Sequence, residues 1–171
     1  LYIDSEADRD RLGVGIDDER RPRWSGDPRV LEALKDGVHY RPLETTLEVD
    51  EVAVIRPRLE PHEIARGIAR AAEHEGKLYN FDFDFFRSDR LVCTEVVYRA
   101  FDGLGPISIP LRERSGRQTL SAEDLLDLAV AGDGFDPVAV YGAPTCAEEL
   151  VTGDLARTAI SPENRTPPPL I

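Results

Sequence analysis

The sequence has no apolar run near the roughly 18 residues that a membrane-spanning helix requires. It is short of positive charge: 21 Lys and Arg stand against 33 Asp and Glu, for a formal net charge of −12. Nucleic acid and anionic membrane surfaces are bound by clustered Lys and Arg, so this balance argues against general affinity for either. Cysteine is scarce as well. Cys93 and Cys146 are far apart, and nothing resembles the paired Cys/His spacing of a zinc site. At 171 residues the chain is larger than the small secreted domains that depend on disulfides, so free thiols are expected. There is no internal repeat, and nothing calls for a metal or organic cofactor.

What is present suits one domain with a single core, over residues 1–160, followed by a Pro-rich, poorly ordered tail at 161–171. Leu1 is not an initiator Met, and Leu1-Tyr2-Ile3 reads as part of a strand, so the sequence is expected to be processed or a piece of a longer one. Residues Asp4 to Pro28 are rich in Asp, Glu, Arg and Gly and read as a solvated loop, or a lid pinned by Trp24. A strand is expected over Arg29–Leu34, then a turn at Asp36-Gly37 and a hairpin partner from Gly37 to Leu43. Val52-Ala53-Val54-Ile55 reads as a strand buried on both faces, ended by Pro57.

The clearest helix follows. Pro61 suits its first position, Ile64, Ala65, Ile68, Ala71 and Ala72 make an apolar stripe, and Gly76 is a natural stop. Tyr79 to Phe86 alternates aromatic and polar residues and reads as extended, and Arg87 to Arg90 as a turn. A second helix is expected over Thr94–Phe101, packed through Val96, Val97, Ala100 and Phe101. A third runs from the N-cap Ser121 through Leu125, Leu126, Ala129 and Val130 to Gly132. Ile107-Ser108-Ile109 and Pro137–Tyr141 read as short strands. The class is α+β, a helix packed on a small antiparallel sheet.

Cys93 stands out by context. It lies at or near a helix start, where the positive end of the helix dipole favours a thiolate and unpaired backbone N–H groups are placed to hold an oxyanion. The alternative is the commonest role of a free cysteine, a small buried core residue. A nucleophilic thiolate usually works with a histidine. His39, His62 and His74 all precede Cys93 and none follows it, so any Cys–His pair has the order His first. His62 and His74 lie off the helix stripe and read as solvated surface residues. His39 lies in a strand beside Val38 and Tyr40. Asp82, Asp84 and Asp89 are too few on one face for a hard cation and read as solvated or loop-pinning carboxylates. Cys146 carries no motif.

Several segments together resemble one family. They are Val30-Leu31-Glu32-Ala33, Gly37-Val38, Val52-Ala53-Val54-Ile55-Arg56-Pro57, Gly76 to Phe85, and Leu91-Val92-Cys93-Thr94-Glu95-Val96-Val97-Tyr98. The stretch from Val30 to Asp102 looks like the permuted papain-like amidases, relatives of the NlpC-type bacterial cell-wall amidases. The resemblance implies a circularly permuted papain-like domain with Cys93 as nucleophile. It implies that a catalytic histidine sits on an early strand just upstream of Leu1, and that His39, His62 and His74 are not catalytic. It places Glu32 as the carboxylate that orients this histidine. It makes Glu95 a structural residue bonded to the neighbouring loop, and Tyr98 a core residue. The expected reaction is acyl-enzyme hydrolysis of an amide in a small peptide or N-acyl compound, and the chain as given is expected to be nearly inactive. The rivals are a thioesterase or acyltransferase using the same cysteine, and a binding module that kept the fold and lost catalysis.

Overall fold

The computed structural model describes residues 1–2, 5–15, 19, 29–83, 85–87, 89–146 and 149–165. In chain order the elements are α1 (Glu6–Leu12), β1 (Arg29–Leu34), β2 (Gly37–Pro42), α2 (Leu43–Thr46), β3 (Val52–Pro57), α3 (Pro61–Ala72), β4 (Leu78–Tyr79) and β5 (Arg90–Leu91). They continue with α4 (Cys93–Phe101), β6 (Arg112–Arg114), β7 (Arg117–Thr119), α5 (Ala122–Ala131), β8 (Phe135–Tyr141), β9 (Val151–Thr152), α6 (Gly153–Ala159) and α7 (Pro162–Arg165). The chain groups into two compact units, Leu1–Thr46 with Leu59–Leu120, and Leu47–Arg58 with Ser121–Ile171.

In the first unit, β1 and β2 form the expected antiparallel hairpin, with Leu34 opposite Gly37. Gly37 has φ 113°, and a Cβ there would stand 2.6 Å from the Lys77 carbonyl, so only glycine lets β2 approach the β4 segment this closely. Tyr2 bridges Val30 in antiparallel fashion, and Leu1 and Leu31 exchange backbone hydrogen bonds at 2.8 Å, so the first residues lie along the outer edge of β1. Leu31, Ala33 and Val38 are buried.

Helix α3 begins as its sequence dictates, with Pro61 at its first turn and the Glu63 carboxylate accepting from the Glu60 N–H at 3.0 Å. Its face of Ala65, Ile68, Ala71 and Ala72 is buried. Gly67 belongs to the same face: a Cβ there would meet the Phe101 ring at 2.5 Å, so the glycine sets the closeness of α3 and α4.

Two expectations for this unit are corrected. The segment after Asp4 contains helix α1, not only loop. Ser5 caps it by accepting from Asp8 N–H at 3.3 Å, Glu6 and Asp8 sit in its first turn, and Gly13 closes it in the left-handed region. Its polar composition hid a helix made by capping rather than by an apolar stripe. Trp24 lies outside the described residues. Ile107 and Ile109 are buried but form no strand. Their backbone groups are satisfied locally: Gly103 N–H donates to Ile107 O, Ile107 N–H to Leu104 O, and Ile109 N–H to the Asp102 carboxylate at 2.9 Å. The strands here are instead β6 and β7, turned by Ser115 and Gly116, both with positive φ as a two-residue hairpin requires.

In the second unit β8 lies between β3 and β9, all antiparallel. Strand β3 is an edge strand with Ala53 and Val54 exposed, which corrects the expectation of burial on both faces. Helix α5 has the expected N-cap at Ser121, which forms a capping box with Asp124, and it ends at Gly132 with φ 77°. Arg157 donates to the last-turn carbonyls of α5, Ala129 and Val130, at 2.6 Å each, and Arg58 forks onto Asp136. Leu125, Ala129, Phe135, Val140, Ala156 and Ile160 are buried in this unit. Within the tail expected at 161–171, Pro162–Arg165 is a helical turn tied to α5 through Arg165 and Asp127, and residues 166–171 lie outside the described residues.

Candidate active site

Cys93 is the first residue of α4, and its thiol is exposed. The helix therefore starts one residue earlier than expected and presents the sulfur at its end rather than in the core. Val92, the N-cap, is buried and offers no side-chain cap. The first hydrogen bonds of the helix run from Glu95 and Val96 N–H to Val92 O, so the Cys93 and Thr94 N–H groups face out of the helix end beside the sulfur. Thr94 does not turn back to cap the helix, because its hydroxyl is committed to the Leu120 carbonyl at 2.7 Å.

The strand before the cysteine fixes its position. Leu91 pairs in parallel with Tyr79, and Asn80 N–H donates to Leu91 O at 3.1 Å. Strand β1 packs against α4. The Leu1 nitrogen, which donates to the Leu31 carbonyl at 2.8 Å, lies near enough to Glu32 and Cys93 for both to act on it. The start of the described chain, Glu32 and Cys93 thus converge.

Glu32 is half-buried. Arg41 lies 3.4 Å from it through Nε, yet that nitrogen makes no hydrogen bond. The guanidinium spends Nη2 on both Asp36 oxygens at 2.8 Å instead. Asp36 is therefore Arg41's geometric partner, and Glu32 keeps acceptor capacity for another donor. His39 stands opposite Glu32 in the β1–β2 register, but its Nε2 turns to the Asp36 carbonyl at 3.0 Å. His62 is exposed on α3. His74 is not a solvated surface residue, as its place off the α3 stripe suggests. It is half-buried, its Nδ1 is enclosed without a hydrogen bond, and burial with the nearby charges of Lys77 and Arg99 pulls it down to about 4.

Glu95 is fully buried one turn into α4. Burial raises its carboxyl, and Arg99, four residues on, opposes that rise by donating to Oε1 from Nε at 2.9 Å and Nη2 at 2.6 Å. The same Nη2 also reaches the Phe85 and Arg87 carbonyls at 3.2 and 3.0 Å. The Glu95–Arg99 pair thereby pins the 80–89 loop to the cysteine helix. This link was half legible as an i,i+4 acid–base spacing. Tyr98 is half-buried rather than core and packs edge-on against Phe85 at 5.9 Å.

The expected extension of Tyr79 to Phe86 ends at Tyr79. Buried Asn80 accepts from Asp82 N–H at 3.2 Å, an Asx-type turn that bends the chain. Asp82 and Asp89 pair with Arg87, and Asp89 also with Arg90, while Asp84 lies outside the description. Among the described residues no group of three or more His, Cys, Asp or Glu is placed to hold a metal. Cys146, in the second unit, is a half-exposed free thiol in a turn.

A sequence profile described as permuted papain-like amidase enzyme, YaeF/YiiX, C92 family, matches residues 7–145. The chain belongs to this family. Among solved structures, that of metalloprotein yiiX from Escherichia coli O157:H7 is similar at 25% identity, covering 77% of this chain and 70% of that one, with a TM-score of 0.43. No curated protein matches significantly. Membership in the C92 family carries the coarse class, a papain-like cysteine amidase or peptidase, and the helices with small, mostly antiparallel sheets fit the α+β expectation. No helix among the described residues is long and apolar enough to cross a membrane.

Proposed function

We propose that this chain is a cysteine amidase in which Cys93 is the nucleophile and Glu32 orients the histidine that serves it. The observation that carries the reading is an exposed cysteine at the first position of a nine-residue helix whose N-terminus has no side-chain cap. The Cys93 thiolate attacks the carbonyl carbon of an amide, and the Cys93 and Thr94 N–H groups receive the developing oxyanion. An imidazolium protonates the leaving nitrogen as the C–N bond breaks. Water, deprotonated by the neutral imidazole, then attacks the thioester, and the acid leaves as the thiol is regenerated.

We assign the imidazole to a residue in the chain preceding Leu1. Two things support this. The Leu1 nitrogen lies where Glu32 and Cys93 both act on it. His39, His62 and His74 are respectively turned to Asp36, exposed on α3, and half-buried among cations. His39 is the second reading, because it faces Glu32 across the ladder.

Small peptides and N-acyl compounds are the expected substrates; by the reading above no cofactor enters. The test is hydrolysis of N-acyl anilides by the protein extended upstream of Leu1, with the acyl-enzyme trapped by mass spectrometry. The reading predicts a Cys93 adduct and its loss in Cys93→Ala. Cleavage of thioesters without amides would favour the thioesterase reading. No adduct with any acyl donor would leave the inactive binding module. Loss of turnover in His39→Ala with normal stability would move the base to His39.

A further inference from the structure

The loop between β4 and β5 carries aromatic rings that folding does not explain. Phe83 has φ 54°, a left-handed conformation that a bulky residue adopts only under strain. The residue is nevertheless 52% exposed, and Phe81 is 61% exposed. Glycine or asparagine would relieve the strain, and a polar side chain would remove the apolar exposure. The residue present carries both costs and buries no core in return.

The rings are organised rather than splayed. Tyr79 meets Phe81 edge-on at 4.9 Å and Phe83 at 6.5 Å. The loop beneath them is held at several points: by buried Asn80, by Arg117 donating to the Asp82 carbonyl, by Arg99 on the Phe85 and Arg87 carbonyls, and by Phe85 against Tyr98. The ledge also adjoins the sulfur. Tyr79 pairs with Leu91, from which Cys93 is two residues away. Burial raises the Tyr79 hydroxyl, and the charge of Cys93 adds to the rise. Charged side chains of the loop pair with one another, Arg87 with Asp82 and Asp89, and Arg90 with Asp89. The ledge therefore offers a ligand aromatic faces more than charge.

We propose that Tyr79, Phe81 and Phe83 form a preorganised ledge that receives an apolar substituent close to the reacting carbon of the substrate, with Phe83 the main specificity-determining residue. This rests on Cys93 being the nucleophile, and it adds which substrates that nucleophile prefers.

In the protein extended upstream of Leu1, Cys93 alkylation by iodoacetamide is compared with that by N-benzyl iodoacetamide, each rate divided by that of glutathione and read by mass spectrometry on the Cys93 peptide, because Cys146 is also a free thiol. Wild type should favour the benzyl reagent by about tenfold, the scale of one aromatic contact with its buried area. Phe83→Ala and Phe81→Ala should each cut that preference several-fold while leaving the iodoacetamide rate within about twofold, since neither ring supports the core. Phe83→Gly, which also removes the strain, should lose the preference and unfold no earlier than wild type. A reactive Cys93 with no benzyl preference, or one unchanged in all three variants, overturns the ledge and leaves the nucleophile standing. A Cys93 no more reactive than glutathione toward iodoacetamide overturns both.

Discussion

Helices α4 and α5 begin in opposite ways. At α5, Ser121 and Asp124 exchange hydrogen bonds with each other's backbone, so the first-turn donors are taken by side chains. At α4 the cap is Val92, Thr94 points elsewhere, and the helix opens on an exposed sulfur. A helix meant only to stand is closed at its end by polar side chains, worth about 1 kcal/mol. On the reading proposed above, α4 keeps its first-turn N–H groups available for a substrate, and it draws its stability from buried Val96, Ala100 and Phe101 instead.

The comparison breaks most sharply at the two residues that define it. Cys93→Ala should lower amide hydrolysis by the upstream-extended protein by roughly 10³-fold or more, measured as kcat/KM, while Ser121→Ala leaves it within about twofold. Val92→Thr should sharpen the contrast by giving α4 a side-chain acceptor of nearly the same volume. Its hydroxyl would compete for the first-turn N–H groups, and kcat should fall about tenfold or more with KM little changed.

Next in size is the pH response of the region that braces α4. His74 is held neutral in the fold, at about 4 against 6.5 for the free side chain. The unfolded chain therefore binds the extra proton first, and stability falls as pH drops from about 6.5 to about 4. The loss is about 2–3 kcal/mol at most, since solvent reaches part of the ring. His74→Gln should flatten that slope in urea titrations taken across this range. Glu95 contributes in the opposite sense, because its raised carboxyl favours protonation in the fold and loses stability as pH rises.

Smaller effects test the packing and the cap. Gly67→Ala should destabilise by about 1–3 kcal/mol, because the methyl group meets the Phe101 ring at 2.5 Å. Ser121→Ala should cost about 1 kcal/mol, seen as a drop of about 2–4 °C in Tm. An equal loss of activity in Ser121→Ala and Val92→Thr would erase the distinction between the two helix ends.

Much of this was legible in the residues. Helices α3 and α5 and the β1–β2 hairpin carry their own boundaries, in Pro61, Ser121, Gly132 and the Asp36-Gly37 turn. Cys93 at a helix start followed from the motif around it. Glu32 came only from the family resemblance, because a half-buried acid on a strand has no periodic signature. Helix α1 was missed because capping without an apolar stripe leaves a weak pattern. Strand β3 was misjudged because four successive apolar residues do not say whether a strand is central or at an edge.

Local chemistry therefore determined where the chain turns, where its main helices start and stop, and which thiol stands at a helix end, since propensity, capping and spacing act over a few residues. Tertiary structure alone decided what surrounds that thiol. It laid the Leu1 backbone along β1, 30 residues away, and packed β1 against α4. It enclosed His74 among cations and turned Phe81 and Phe83 outward, because burial and exposure depend on which surfaces meet.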